Sequence, residues 1–402
     1  MSNTKVLHNT PSIWGVVLSG FTAFLNLYLS QPFLTELSHD FNVSLSTIAL
    51  SQSLTLLMLA ISSPFVSACN DIYGEKTMLT ISFLGLIICQ IVTSLLNKFW
   101  EFAFVQSLLG FFVPSIIAAA ATAASNQGSH RSSLRGSRIY VISIASGGMA
   151  SRLLSGIMAD AFGTWRASYI FTGVVTFVSF LVIMSLRSCL GEFTESASHH
   201  IRKVSLKKKF SHIIYELRDH LTNTKLLHVY FAGFLLLFSI ISIYTVGVLR
   251  LGGHPFYSST TERGLLFMAN PIGCILASRV MIIMSHLTYG FWYFSVGFMF
   301  LGTITCLLPS KFFVFLGTFL VIMGAFGIQI SSLSAVRTRA NKAHSSAVGL
   351  YTTSYYMGGF LGNYGMAYLF ESKGIIYCTV MLLVIISLLA TMPVKICSRE
   401  LQ

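Results

Sequence analysis

Ile139-Tyr140-Val141-Ile142-Ser143-Ile144-Ala145-Ser146-Gly147-Gly148-Met149-Ala150-Ser151-Arg152-Leu153-Leu154-Ser155-Gly156-Ile157-Met158-Ala159-Asp160 is the stretch on which the fold is decided. It is long and mostly apolar, and roughly 20 such residues cross the hydrocarbon core of a bilayer as a helix. Arg152 stands in its middle. A charge at that depth costs at least ~2.5–3.5 kcal/mol unless it is paired or hydrated. Gly148 and Gly156 lie four residues to either side of Arg152, so one helix face is small and permits close packing. Two readings of Arg152 stay open. It is a cation facing a polar cavity, where it holds or senses an anion, or it is tied to carbonyls and polar side chains between helices.

Similar apolar runs fill the chain on either side. They place spans at 12–31, 46–68, 77–96, 101–124, 139–162 and 165–186, then at 227–248, 263–284, 289–308, 311–335, 346–370 and 375–393. Each must be helical, because an unpaired backbone amide is costly in lipid. Of the 402 residues 54% are hydrophobic and 10% charged, against roughly 25% charged in a soluble domain. The fold class is therefore all-α and polytopic, with the lipid bilayer as its surroundings.

The net charge of +13 would suggest nucleic acid in a soluble protein. Here the basic residues lie in loops, so topology accounts for them and nucleic acid is not expected as a partner. Lys5, Lys76, Arg131, Arg135, Arg138, Arg187, Arg202, Lys203, Lys207 to Lys209, Arg218, Lys225, Arg337, Arg339, Lys342, Lys395 and Arg399 fall on one side. Lys98, Arg166, Arg250, Arg263, Lys311 and Lys373 fall on the other. The richer side is expected to be cytoplasmic, with both termini there.

The only long polar stretch, 187–225, splits the chain into six-helix halves at 1–186 and 226–402. Within it Phe210, Ile213, Ile214, Leu217 and Leu221 recur at helical spacing behind Lys207 to Lys209. A helix lying on the inner leaflet fits this pattern, and so does a solvated basic linker. The halves repeat faintly. Aligning Gly147-Gly148 with Gly358-Gly359 sets Arg152 opposite Asn363, and the basic loop at Arg131 and Arg135 opposite that at Arg337 and Arg339. Such parallel repeats form a pseudo-twofold pair around a central cavity.

Four local patterns occur in order along the chain. They are Gln31-Pro32-Phe33-Leu34 with Phe41-Asn42-Val43-Ser44; Asp71-Ile72-Tyr73-Gly74-Glu75-Lys76; Gly147-Gly148 through Arg152, Gly156 and Asp160 to Trp165-Arg166; and Gly349-Leu350-Tyr351 with Tyr355-Tyr356-Met357-Gly358. Together they resemble the major facilitator superfamily, in particular its bacterial drug and metabolite efflux permeases, the arabinose-efflux-permease-like branch. The loop motif is matched at Asp71, Gly74 and Lys76 and departs from the family at Ser67, Ile72 and Glu75. The resemblance implies twelve helices in two pseudo-symmetric bundles, a gating role for Asp71, Gly74 and Lys76, and a bacterial inner-membrane location. It also implies a monomer coupled to protons.

The cavity candidates are Arg152, Asn26, Gln52, Gln106, Tyr244, Gln329, Tyr355 and Asn363, with Tyr351 and Tyr356 beside them. Each polar one fits equally a helix–helix hydrogen bond. Gly147, Gly148, Gly156, Gly358 and Gly359 are the packing candidates. Arg279, after Asn270-Pro271, reads either as a second deep cation or as a side chain reaching back to the surface. Trp14, Trp100, Trp165 and Trp292 fall near span ends and suit an interfacial belt. None of the thirteen acids falls mid-span. By resemblance, Asn26 and Gln106 stand where drug antiporters carry charged groups, so the usual proton device is missing. Deep arginines without deep acids favour a neutral or anionic cargo over lipophilic cations.

The scattered cysteines form neither a disulfide framework nor a metal site. There is no Walker loop and no hydrolase motif, so neither an enzyme nor a cofactor is expected. The reading is a secondary transporter, foremost an exporter of a small organic solute such as a metabolite, drug or siderophore-like compound. An importer of the same solutes and a non-transporting sensor or scaffold are the alternatives.

Overall fold

The computed structural model describes residues 13–125, 130–185, 223–284, 288–339 and 344–392. All its regular elements are helices. In the first half they are α1 (Ile13–Leu25), α2 (Leu34–Asp40), α3 (Leu45–Tyr73), α4 (Glu75–Leu95), α5 (Phe99–Ser125), α6 (His130–Phe162) and α7 (Arg166–Ser185). In the second they are α8 (Thr224–Gly252), α9 (Thr260–Leu265), α10 (Ala269–Ile283), α11 (Thr288–Thr305), α12 (Lys311–Arg339), α13 (His344–Lys373) and α14 (Ile375–Ala390). Among the described residues eight spans are long and apolar enough to cross a membrane, and α1 and α14 are shorter apolar helices.

Two expected spans depart from regular α-helix, the first by a break and the eighth by a 3₁₀ turn within a continuous run. The first breaks after Leu25 and resumes as a 3₁₀ turn at Gln31–Phe33 before α2. The eighth begins at Thr260, earlier than expected, and passes through a 3₁₀ turn at Leu266–Met268 before α10. A proline ring clashes with the carbonyl four residues before it. For Pro32 that residue is Tyr28, and for Pro271 it is Phe267, so each break falls where its proline dictates. Pro64 and Pro114 sit inside α3 and α5, which run on past them.

The halves pack alike. In the first, α1 lies on α6, α3 on α5 and α4 on α7; in the second, α8 lies on α13, α10 on α12 and α11 on α14. Glycines set the tightest approaches. A Cβ at Gly147 would collide with the Phe21 carbonyl of α1, and one at Gly358 with the Phe234 carbonyl of α8. Gly156 meets the Thr260 carbonyl across the halves, and Gly359 meets Leu237 and Leu56 side chains. Gly148 differs from the expectation: a Cβ there would have ordinary room, its nearest neighbour being the Arg152 guanidinium at 3.6 Å.

Polar side chains tie the helices internally. Asn26 is 1% exposed. Its Nδ2 donates to the Thr22 carbonyl (2.8 Å) and to Thr176 Oγ1 of α7 (2.9 Å). Its Oδ1 accepts from Gln90 Nε2 of α4 at 2.6 Å. Gln106 Nε2 donates to the Tyr169 hydroxyl at 2.8 Å. Both residues are thus engaged inside the first half, a correction to their reading as cavity lining.

The tryptophans divide. Trp14 and Trp100 are about two-thirds exposed, as a belt requires. Trp165 and Trp292 are buried and donate from Nε1 to Asp40 Oδ2 (2.8 Å) and to the Leu389 carbonyl (3.0 Å). Arg279 is exposed, as a side chain reaching the surface would be. The proposed amphipathic linker helix falls outside the described residues.

Losing a buried hydrogen bond while stranding its partners costs about 1–3 kcal/mol. Asn26→Ala should therefore lower the melting temperature of the purified protein. Per folded molecule its activity should match the parent, as a cavity residue's would not.

Candidate functional site

The breaks in the first and eighth spans lie on either side of Arg152. The guanidinium is 3.9 Å from the Tyr28 ring centroid and 4.5 Å from that of Phe267, with Tyr244 at 5.6 Å. Tyr28 belongs to the first half and the other two rings to the second. Arg152 Nε donates to Gln31 Oε1 at 2.6 Å, and Nη1 to the Gly148 carbonyl at 2.8 Å. Arg152 is 3% exposed, and none of these acceptors is a carboxylate. These contacts are those of a group tied to a carbonyl and a polar side chain where the halves meet.

The surrounding wall is aromatic. Tyr351 and Tyr355 stack with centroids 6.0 Å apart, and Tyr356 meets Tyr355 edge-on at 5.7 Å. Tyr355 also hydrogen-bonds Gln329. The hydroxyls of Tyr355 and Tyr356 lie within electrostatic reach of Tyr28. The Tyr244 hydroxyl donates to Asn270 Oδ1 at 2.9 Å. Several buried polar atoms have no hydrogen-bond partner, among them Gln31 Nε2, both amide atoms of Gln52, Gln329 Oε1 and the Tyr351 hydroxyl.

Asn363, aligned with Arg152 by the repeat, is wholly buried. Its Oδ1 accepts from Thr245 Oγ1 of α8 at 2.5 Å. Its Nδ2 donates to the Ala49 carbonyl (2.9 Å) and Ser53 Oγ (3.1 Å) of α3. Each of the pair therefore binds the first helix of its own half and reaches into the other. Asn363 is a bridge between halves rather than a free donor in a cavity.

Carboxylates close one end of this interface. Ser44 caps α3 and Ser259 caps α9, each accepting a backbone N–H three residues on. Each of these helix starts also receives a carboxylate from the opposite half. Asp160 accepts from the Thr260 and Thr261 amides (3.2 and 2.7 Å) and from Thr260 Oγ1 (2.6 Å). Glu371 accepts from the Leu45 and Ser46 amides (3.3 and 3.1 Å) and from Ser46 Oγ (2.6 Å). An anion is favoured at a helix N-terminus, where amides are free. Nearby Arg263, 2% exposed, pairs with Glu36 and donates to Thr35 Oγ1 at 2.6 Å. Asp40 binds Trp165 and then Arg166, and these hold its carboxyl below the ordinary carboxylate range. Along α3 and α13 the crossing bonds continue as far as Thr353 Oγ1 and the Ala60 carbonyl, 3.3 Å apart.

Sequence reasoning did not single out Tyr28, Gln31, Phe267 or the two cross-half carboxylates as parts of a site. Pro32, Pro271 and Asp160 were visible signals for some of them. Of the loop motif, Gly74 closes α3 at φ 85° and Lys76 is exposed. The side chain of Asp71 lies outside the described residues.

The comparisons agree with this fold. A model of the Major Facilitator Superfamily matches residues 16–363. An uncharacterized transporter of Buchnera aphidicola subsp. Schizaphis graminum is 25% identical, with 98% of this chain and 93% of the relative covered. The inner membrane transport protein YnfM of Escherichia coli K12 is 28% identical over 90% of this chain and 88% of its own. The multidrug resistance protein MdtG of Escherichia coli O17:K52:H18 is 30% identical, covering 48% of this chain and 47% of the relative. A crystal structure of a peptide transporter POT mutant superposes with a TM-score of 0.76 at 12% identity, covering 98% and 99% of the two chains. That likeness speaks for the fold.

Burial works to raise the Glu371 carboxyl, but its bonds to Ser46 and Leu45 outweigh this and hold it below its ordinary value. A group lowered in the closed form stabilises it fully at neutral pH, and the effect fades as pH falls through the lowered value. A cysteine placed at Ala49, in a background without the native cysteines, should become more reactive to a maleimide, relative to a free thiol at the same pH, on acidification below about pH 4.3. Glu371→Gln should raise that reactivity at pH 7 and flatten its pH dependence. An unchanged profile would show that the carboxylate does not hold this end.

Proposed function

The chain belongs to the Major Facilitator Superfamily, and from that premise we propose that it is a secondary active exporter of a small organic solute. The cargo is neutral or anionic, and it is carried by alternating access around Arg152. The proton gradient drives it. The chain works as a monomer in a bacterial inner membrane with both termini cytoplasmic. Its halves are 1–186 and 226–402, joined by the basic segment 187–225.

One observation carries the reading: a buried guanidinium without a carboxylate partner among the described residues, flanked at the meeting of the halves by the break in the first span and the 3₁₀ turn in the eighth. Irregular backbone at membrane depth is tolerated where it lines a cavity or is buried in protein, and transporter sites are commonly built at such breaks. With the basic loops inside, the end sealed by Asp160, Glu371 and Arg263 faces outward. The conformer described is then closed to the outside. Transport requires the seal to break while the opposite end closes, and Asp71 at the end of α3 serves that opposite gate.

Untargeted mass spectrometry of a deletion strain and its complemented parent tests direction and cargo together. A solute that accumulates inside and disappears from the medium on deletion supports export; one left in the medium establishes import. No change in rich or starved medium favours a sensor. For the identified solute, Arg152→Gln should lower flux in proteoliposomes by at least about tenfold, since hydrogen bonds to charged groups contribute ~1.5–3 kcal/mol. Wild-type flux in a normally folded variant would remove Arg152 from the mechanism.

A further inference from the structure

We propose that the cargo is an aromatic monocarboxylate carrying a second hydrogen-bonding group, an inference that rests on the transport reading of the same site. Its carboxylate takes Arg152 and Gln31, and its ring takes the tyrosine wall.

The charge argument comes first. A guanidinium keeps its proton in proteins. Arg152 is 3% exposed and bonded to neutral oxygens of Gln31 and Gly148. The faces of Tyr28 and Phe267 offset part of its charge, since an aromatic face attracts a cation. A full negative charge would offset more. The neighbouring cation of the interface, Arg263, is already committed to Glu36. One uncommitted positive charge suits a monoanion better than a phosphate dianion.

The donor geometry narrows the anion. Arg152 Nε holds Gln31 Oε1, which fixes the amide beside the guanidinium. The Nε2 end of that amide is buried without a partner, and Gln31 is wholly unexposed. An ionised carboxylate has two acceptor oxygens and no donor, so it can engage a guanidinium with one and an amide N–H with the other.

The rest of the molecule follows from the wall. Tyr28 touches the guanidinium and is also within electrostatic reach of Tyr355 and Tyr356. The Tyr351–Tyr355 pair presents stacked faces inclined by 24°. Planar rings gain from offset or edge-on contact with such faces beyond their area alone. Past the rings, Gln329 Oε1 and the Tyr351 hydroxyl are buried and unpartnered. A hydroxyl or amine on the ring opposite the carboxylate would satisfy the Gln329 acceptor.

The test is a binding series on the full-length purified protein in nanodiscs, read by calorimetry. Its probes are 4-hydroxybenzoate, benzoate, 4-hydroxybenzamide, cyclohexanecarboxylate, acetate and inorganic phosphate. We expect 4-hydroxybenzoate to bind tightest, with benzoate weaker. The amide, the saturated ring, acetate and phosphate should each be weaker than 4-hydroxybenzoate by at least about tenfold, the scale of one charge-assisted bond or ring contact. Arg152→Lys should reduce carboxylate binding about tenfold, because a point charge replaces a planar fork. Tyr28→Leu should remove the preference for the aromatic ring while the carboxylate preference persists. It also serves as the check if Arg152→Lys does not fold.

Equal binding of 4-hydroxybenzamide and 4-hydroxybenzoate would overturn the proposal. So would failure of every carboxylate to bind a protein whose proteoliposome flux of another solute is intact. That second result would leave the transport reading standing. Carboxylate binding in the predicted order without flux would instead support the ligand class and remove the transport reading.

Discussion

A lone guanidinium buried where two helical halves meet is the constraint on which the arrangement turns. Its charge cannot be shed and has no carboxylate to answer it among the described partners, so neighbouring groups must offset the loss of water. Gln31 and Gly148 supply neutral oxygens from the first half. Tyr28 and Phe267 supply aromatic faces, one from each half. These groups can reach it because the first and eighth spans are interrupted beside it. Continuous helices would turn Gln31 and Phe267 by the ordinary 3.6-residue period instead.

The same pseudo-twofold relation governs the seal. Second helices of both halves start with a serine cap and leave further amides unpaired. The fifth helix of one half and its counterpart in the other each supply a carboxylate to those amides. Each carboxylate is placed at the end of a helix, where its bonds to hydroxyls and amides together outweigh the desolvation, and it acts on a partner in the opposite half. Contacts of this kind are strong when complete and are lost together when the halves separate. On the alternating-access reading proposed above, they would give the interface two discrete states, unlike a continuous apolar seam, which would resist opening throughout.

Much of this was legible in the sequence, for identifiable reasons. The spans follow from apolar length, and the depth of Arg152 from its place within one. The repeat could be seen because Gly147 and Gly358 meet equivalent backbone carbonyls, where a side chain would collide. The orientation of polar residues was less legible. Asn26 and Gln106 lie in helices covered by neighbours on several sides, so the apolar pattern does not reveal which side is the cavity. The same holds for Trp165 and Trp292, whose places near span ends match a lipid belt although both are buried. Glu371 and its partner Ser46 are 325 residues apart, and nothing local to either announces the other. Tyr28 gave no signal because its role is created by the break after Leu25, within which it lies three residues before the 3₁₀ turn.

The position of Phe267 links recognition to movement. Its ring lies in the second half and faces a charge held by the first, so this contact itself joins the halves. A carboxylate arriving at Arg152 satisfies the guanidinium more fully than an aromatic face does, since an ion pair in a site poor in water exceeds a cation–π contact. Occupation would thus weaken one attraction across the interface while Tyr28 keeps the arginine in place from its own half. A ligand can shift a two-state equilibrium only through such a difference in contacts between the states. A neutral solute would leave the Arg152–Phe267 attraction intact and would need another means of loosening the halves. An anion of the proposed class would therefore do two things with one group: it would be held by Arg152, and it would displace part of what Arg152 holds in this conformer.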